Sequence, residues 1–375
     1  MQALGRWLAV GLAACAGLAG AAWGQDVDDR DARIEKLEEM VQMLTEEVRA
    51  LRAEQEEEKA AQAEYREEVS QQIEAVAETA ESGGDGPMTW GNFTLGGYGE
   101  SHFNFREGKD GDQADIHRFV LDFGYSFEDW IQFRAELEIE HGFINDGDGE
   151  IVLEQFYVDL LLSEHANVRI GRFLTPLGLI NRFHEPTRFY GVERPSFASA
   201  IIPSTWSSDG VGLYGNITDS LTYEAYIATG LDGTGFSALS GIRGGRIKER
   251  PSLNDLAVTG RVDFFPFVHL PAPYGQTLRI GASGWHGGLD NGDQGNNPSL
   301  SGTELTMLAL DFEYTLGRFE LRGEGAYGWI GDADDLGPTI AEEIAGWYLE
   351  PAVRVMPDSW KKGKLERADL VFFAR

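Results

Sequence analysis

Residues 131–140 read IQFRAELEIE. Ile131, Phe133, Ala135, Leu137 and Ile139 alternate with Gln132, Arg134, Glu136, Glu138 and Glu140. Side chains of an extended strand point alternately to opposite faces, so one face here is wholly apolar and the other wholly polar. The pattern recurs along the chain. Phe119, Leu121, Phe123 and Tyr125 oppose Arg118 and Asp122; Leu308, Leu310, Phe312 and Tyr314 oppose Asp311 and Glu313; Phe319 and Leu321 oppose Glu320, Arg322 and Glu324. About thirteen such strands are predicted after residue 88, the last over 367–375, which makes the fold all-β.

Alternation alone does not choose between water and lipid outside the sheet, because a soluble sandwich alternates too. The connections are more informative. Tight turns are predicted at 127–130, 163–166, 218–220 and 316–318, with long Gly- and Asp-rich connections at 106–114, 142–150, 174–209, 232–256, 287–303 and 331–343. Short turns on one side and long loops on the other are the arrangement of bacterial outer-membrane β-barrels. No run of eighteen apolar residues exists after the N-terminus, so any membrane span is made of strands. Trp130, Phe264, Phe265, Trp285, Trp329 and Trp347 sit near strand ends, where they suit either interfacial girdles or core packing.

The composition is that of an ordered protein, 42% hydrophobic and 11% aromatic with 47 glycines, and the net charge of -31 excludes nucleic acid as a partner. Residues 1–24 read as a signal peptide: Arg6 is the charged end, Trp7 to Leu18 the apolar core and Ala22-Trp23-Gly24 the cleavage site. Leu12-Ala13-Ala14-Cys15 also fits a lipoprotein box, and Cys15 is the only cysteine. Over 25–82 the period changes. Ile34, Leu37, Val41, Leu44, Val48 and Leu51 form a heptad seam, which turns polar at Gln55, Glu58 and Gln62 and resumes at Tyr65, Val69, Ile73 and Val76. An α-helical coiled coil is expected there, on the periplasmic side of the barrel, with Ile or Val against Leu leaning towards dimers. Gly83, Gly84, Gly86 and Pro87 end it, making 83–88 a linker to a barrel over 89–375.

The longest connection lies within 171–217, GRFLTPLGLINRFHEPTRFYGVERPSFASAIIPSTWSSDGVGLYGNI. Prolines at 176, 186, 195 and 203 fix its shape, and Phe183, Phe189, Tyr190, Phe197, Ile201, Ile202 and Trp206 give it apolar surface to pack. Gly171-Arg172-Phe173, Pro176-Leu177-Gly178, His184-Glu185-Pro186, Phe189-Tyr190-Gly191-Val192-Glu193-Arg194, Ile202-Pro203-Ser204-Thr205-Trp206 and Asp209-Gly210-Val211-Gly212 resemble, in this order, the outer-membrane porins of the phosphate-selective porin O and P group. The resemblance implies a trimeric transmembrane antiparallel barrel, a loop at 174–209 folded inward to narrow its pore, and a final aromatic-ended strand. Because bacterial barrels have even strand numbers and this chain stops on Phe372-Phe373-Ala374-Arg375, a complete barrel of about 16 strands is expected, with about three missing here.

Charges on the polar faces are the candidate pore lining: Arg118, Arg134, Arg261, Arg279 and Arg322 beside Asp122, Glu136, Glu138, Asp263, Asp311, Glu320 and Glu324. The loop adds Arg182, Arg188 and Arg194 with Glu185 and Glu193, where charge rings bias ion passage. This mixture does not supply the basic ladder that phosphate selectivity would need. Arg243, Arg246, Lys248 and Arg250 read as an exposed basic loop tip or an anion attractor. Asp110-Gly111-Asp112, Asp146-Gly147-Asp148-Gly149-Glu150 and Asp290-Asn291-Gly292-Asp293 lack the full calcium-loop pattern and read as solvated turns. The seven histidines show no His-Glu-x-x-His spacing, and no nucleophile elbow or phosphate loop is present, so no catalysis and no cofactor are expected. His184-Glu185 reads as a structural hydrogen-bonding pair.

The expected function is a porin of the outer membrane passing small hydrophilic solutes or ions. A tether reaching the cell wall through the coiled coil is the alternative, and a secreted adhesin on a helical stalk a third reading.

Overall fold

A computed structural model describes residues 87–375 except 106–111, 143–148, 248–249, 269–275, 292–299 and 301, together with 40–43, 45–46 and 49. The chain divides into two compact units, Met1–Glu67 and Glu68–Arg375. In the first, the described residues are helical. The leader 1–24, the helix pairing over 25–82 and the linker up to residue 86 lie outside the described residues. None of the described helices is long and apolar enough to cross a membrane.

The second unit is one antiparallel sheet of fourteen strands hydrogen-bonded in chain order. They are β1 (Met88–Trp90), β2 (Phe93–Asn104), β3 (Gln113–Glu128), β4 (Ile131–Glu140), β5 (Glu150–Leu160), β6 (Asn167–Leu174), β7 (Ser207–Thr218), β8 (Leu221–Thr229), β9 (Leu256–Phe264), β10 (Thr277–Gly288), β11 (Glu304–Leu316), β12 (Phe319–Ile330), β13 (Glu343–Arg354) and β14 (Val371–Phe373). That is one strand more than the predicted thirteen; β1, at three residues, is too short to display a period. The last strand starts at Val371 and not at 367, because Gly363–Leu365 forms a 3-10 turn just before it.

Two-residue turns close β3–β4 at 129–130, β7–β8 at 219–220 and β11–β12 at 317–318. Gly317 supplies the left-handed φ of +58° that such a hairpin needs. The long connections are 105–112, 141–149, 175–206, 230–255, 289–303 and 331–342, all at the opposite end of the sheet. Connections 265–276 and 355–370 depart from the expected rule, being long on the short-turn side.

The two faces invert the usual order of a water-soluble protein. On β9, Leu256, Val258, Val262 and Phe264 are between 42% and 60% exposed, while the alternating Ala257, Thr259, Arg261 and Asp263 are between 0% and 3% exposed. On β11, Leu308 and Leu310 are exposed, and Ala309 and Asp311 are buried. Buried charge and exposed large apolar side chains on one strand are the informative exceptions to ordinary burial.

Of four register slips among the described residues, those at Ser126/Glu128 and Asn216/Thr218 lie beside hairpin turns, and two interrupt the alternation inside long strands. Between β2 and β3, Glu100 pairs with Arg118 but Ser101 pairs with Ile116, so His117 is an extra residue. Between β4 and β5, Glu136 pairs with Gln155 but Leu137 pairs with Leu153, so Glu154 is extra. Such a bulge puts two consecutive side chains on the same face. Ile116-His117-Arg118-Phe119 and Leu153-Glu154-Gln155-Phe156 therefore turn both polar residues inward and both apolar ones outward.

The sheet is curled around the connection 175–206. Flat, β2 and β14 would stand about 58 Å apart at about 4.8 Å per strand. Yet the Arg375 guanidinium just past β14 donates to the Tyr190 carbonyl at 3.0 Å, and Glu193, three residues on, lies 3.9 Å from His102 of β2. Among the described residues β14 does not pair with β1.

Candidate functional site

Residues 175–206 form the site, held on the sheet's inner face. Asn181 closes the base of the loop: its Nδ2 donates to the Thr175 and Trp206 carbonyls and its Oδ1 accepts from the Trp206 N–H at 2.8 Å. One side of the loop is apolar. Leu177, Leu179, Ile180, Phe197, Ala198, Ile202 and Trp206 are buried in a cluster with Trp285, Leu305, Met307, Ala309 and Tyr348. Trp206 and Trp285 lie 5.3 Å apart, ring to ring. Trp285, expected at a strand-end girdle or in a core, is thus enclosed beneath the loop, whereas Trp130, Phe264, Trp329 and Trp347 are exposed.

Beside this cluster the loop's first turn docks on a charged network. The Gly178 N–H donates to Ser283 Oγ at 3.0 Å, the Leu179 N–H donates to Glu324 Oε1 at 2.8 Å, and Arg261 Nη1 donates to the Gly178 carbonyl at 2.9 Å. Gly178 has a φ of +70°, and a β-carbon there would collide with the Glu324 carboxylate. That accounts for glycine in Pro176-Leu177-Gly178. Arg261 also pairs bidentately with Asp263 and Asp311, each also contacted by Arg279. Arg182 joins through Asp263 at 2.6 Å and Glu224 at 3.4 Å. Arg261, Arg279, Asp263 and Asp311 persist as charges this deep because each has an opposite partner, while Glu324 is held by the Leu179 N–H.

The opposite side of the loop reaches β4 and β5. His184 is completely buried, with Nε2 2.8 Å from Glu154 Oε2 and 3.4 Å from Glu136 Oε1. Burial by itself would lower its pKa, but the Glu154 and Glu136 carboxylates outweigh that and hold it well above the ordinary imidazole range. The bulge makes this possible, since Glu154 turns inward to His184 while Gln155, also inward, donates to the second oxygen of Glu136 at 2.6 Å.

Three more arginines, besides Arg261 and Arg375, pin loop peptides. Arg194 donates through Nε and Nη2 to the His184 carbonyl and through Nη1 to Ser204 Oγ; burial, then Arg118, lowers its pKa. Arg246 reaches across from 230–255 to the Ser204 and Thr205 carbonyls and Thr205 Oγ1. Burial and the neighbouring Arg243 push its pKa down to about 10. The expected exposed basic tip is therefore corrected at Arg246, which is a loop clamp; Lys248 lies outside the described residues. Arg322 pairs with Glu350, donates to the Arg188 carbonyl and lies 4.8 Å over the Tyr190 ring.

Of the other predicted residues, Arg118 is buried between Glu100 and Glu138 at 2.9 Å each. Arg134 is exposed, and Arg188 is half-buried over the Phe183 ring at 4.6 Å. Glu185 is half-buried, its carbonyl accepting from the Arg188 N–H, and the Glu193 side chain is exposed. The structure thus joins Glu136 to His184, Arg182 to Arg261, and Arg322 to Arg188, and leaves Arg134, Glu185 and Glu193 apart. Sequence reasoning missed Glu154 and Glu350. For Glu154 a signal was present: two consecutive polar residues inside an otherwise alternating strand.

No family model matches the chain. It is 33% identical to an uncharacterized protein of Aquifex aeolicus (strain VF5), with 70% of this chain covered. The chain spans 62% of that relative's length. Among solved structures it is similar to the outer membrane channel DcaP of Acinetobacter baumannii, at 12% identity over 72% of this chain and 88% of that one, TM-score 0.36. It is also similar to OprB of Pseudomonas putida, at 10% identity over 70% and 69%, TM-score 0.38. A third likeness is to a loop-deleted OmpT, an outer membrane protein of Vibrio cholerae, at 14% identity over 70% and 88%, TM-score 0.34.

Proposed function

We propose that the chain forms a water-filled channel across a bacterial outer membrane, through which small hydrophilic or charged solutes diffuse passively, with residues 175–206 narrowing it. The observation that carries this reading is the inverted burial of β9 and its neighbours, because an apolar exterior and a charged interior on every second residue suit lipid outside and water within. The curl of the sheet around a loop supports the narrowing. In this reading Arg118, Glu136 and Arg261 stiffen the wall, and Arg182, Arg194 and Arg322 hold the loop. The more open Arg134, Glu185, Arg188 and Glu193 meet the solute. Acid–base pairing along the wall supports a general solute class over a phosphate ladder. A homotrimer with the N-terminal coiled coil on the periplasmic side belongs to the same proposal.

Planar-bilayer conductance of the full chain and of a variant lacking Leu179–Thr205 tests it. A steady conductance that rises on removing the loop is expected, and the reversal potential gives the charge preference. An inserted protein without conductance in either form overturns the channel and favours a tether.

A further inference from the structure

Three of the histidines converge at the end of the sheet that carries the long connections, where His102 also lies 3.9 Å from the loop's Glu193. His117 is the extra residue of the β2–β3 bulge, so it shares the inner face with Arg118 in place of pointing outward like Ile116 and Phe119. His141, directly after β4, has a φ of 47°, a left-handed backbone that histidine enters more readily than most residues other than glycine. Its N–H donates to the His117 carbonyl at 3.0 Å, which fixes it across the strand pair. Both irregularities aim at one carboxylate: Asp115 Oδ2 lies 2.8 Å from His141 Nδ1 and 3.2 Å from His117 Nδ1.

Behind them, the His102 ring stacks on His117 at 4.1 Å and 11°. His102 Nε2 is 2.7 Å from one oxygen of Glu100, whose other oxygen is 2.9 Å from Arg118. Glu100 and His102 are therefore occupied with each other and with Arg118, and serve to hold the His117 ring in place.

We infer that Asp115, His117 and His141 form a binding site for a divalent first-row transition ion of the zinc class. Their three ligand atoms lie within 4.8 Å of one another. Donors around a tetrahedral ion with bonds of about 2.1 Å stand about 3.4 Å apart, so the 3.2 Å pair already fits and the 2.8 Å pair has to open by about 0.6 Å. The ion takes the place of the two ring protons facing Asp115, and each imidazole keeps its proton on Nε2 as the other tautomer. Two imidazoles and one carboxylate suit such ions, whereas calcium and magnesium need more oxygen ligands. The side chains are 18% to 40% exposed, so an ion can enter and water can complete its shell. The buried Glu136–Glu154–His184 group has comparable donors but neither property: it is enclosed, and its imidazole is held charged by both carboxylates.

The test is titration of the folded full-length protein with zinc chloride by calorimetry, with calcium chloride as the contrast. One zinc per chain is expected, with Asp115→Asn, His117→Gln and His141→Gln each weakening it by at least about tenfold, the scale of losing even an outer contact of a metal site. His286→Gln, far along β10, is expected to leave it unchanged. A visible cobalt(II) spectrum of the unmodified protein, bleached by zinc, provides a readout that does not depend on any variant folding. Absence of saturable zinc binding, zinc binding of unchanged affinity in Asp115→Asn and His141→Gln, or absence of the cobalt spectrum overturns the assignment.

Discussion

The bulge at His117 and the bulge at Glu154 start from the same pattern, apolar–polar–polar–apolar, and end in different chemistry. Each turns two neighbouring polar side chains onto the inner face, and each assembles imidazole with carboxylate. At Glu154 the loop covers the group completely. Without water, a cation between two carboxylates is the stable form, and the group becomes a latch for the loop. At His117 the His102 ring covers one face but the side chains stay partly open to water, and Asp115 shares one oxygen between two rings that an ion can replace. Residue types are alike in the two places; access to solvent separates them.

The largest expected effect is on the latch. His184→Gln leaves Glu136 and Glu154 buried without their cation, and a loss of about 3–5 kcal/mol is expected from breaking such a pair. Unfolding of the detergent-folded protein in urea measures it, and a loss under 1 kcal/mol in that experiment, the scale of surface pairs, would erase the contrast between the bulges. The pH dependence sharpens it. Because His184 is held above its ordinary pKa of about 6.5, its stabilisation is complete below that value and is lost as pH rises through the higher folded value. A loss of stability on the alkaline side, present in the parent protein and missing in His184→Gln, is the expected titration result.

Deleting His117 alone is expected to cost about 1 kcal/mol, because Ile116, Arg118 and Phe119 then alternate without a bulge. The unfolding midpoint measures that cost, and the same deletion should abolish zinc binding. Asp115→Asn has the smallest expected effect on metal-free stability, about 0.2–1 kcal/mol, because its pairs are partly open to water. If its unfolding cost equals that of His184→Gln, access to solvent is not what separates the two bulges.

Much of the sheet was legible before any coordinates. Period-two alternation in IQFRAELEIE and its relatives located the long strands, and turn residues placed connections to within a few positions. What alternation could not supply was tertiary pairing. Arg261 stands on the polar face as expected, but the Gly178 carbonyl that it binds comes from the loop. Glu154 gains its role only when His184 arrives from a different segment. Trp285 was open between girdle and core because its partner Trp206 lies 79 positions earlier by residue number. His141 gave no sequence signal, since a left-handed φ in a histidine follows from the contacts around it.

The loop's attachments also carry a consequence for timing. Gly178 binds Ser283, 105 positions on, and Leu179 binds Glu324, 145 positions on. Contacts so distant along the chain form slowly, although their entropic cost grows only gently with separation. Leu177, Leu179, Ile202 and Trp206 leave the ribosome well before β10 to β13, the strands that cover them, are made. Seating the loop is therefore a late step of assembly, and until it happens this chain presents an apolar surface that a holding chaperone has reason to grasp.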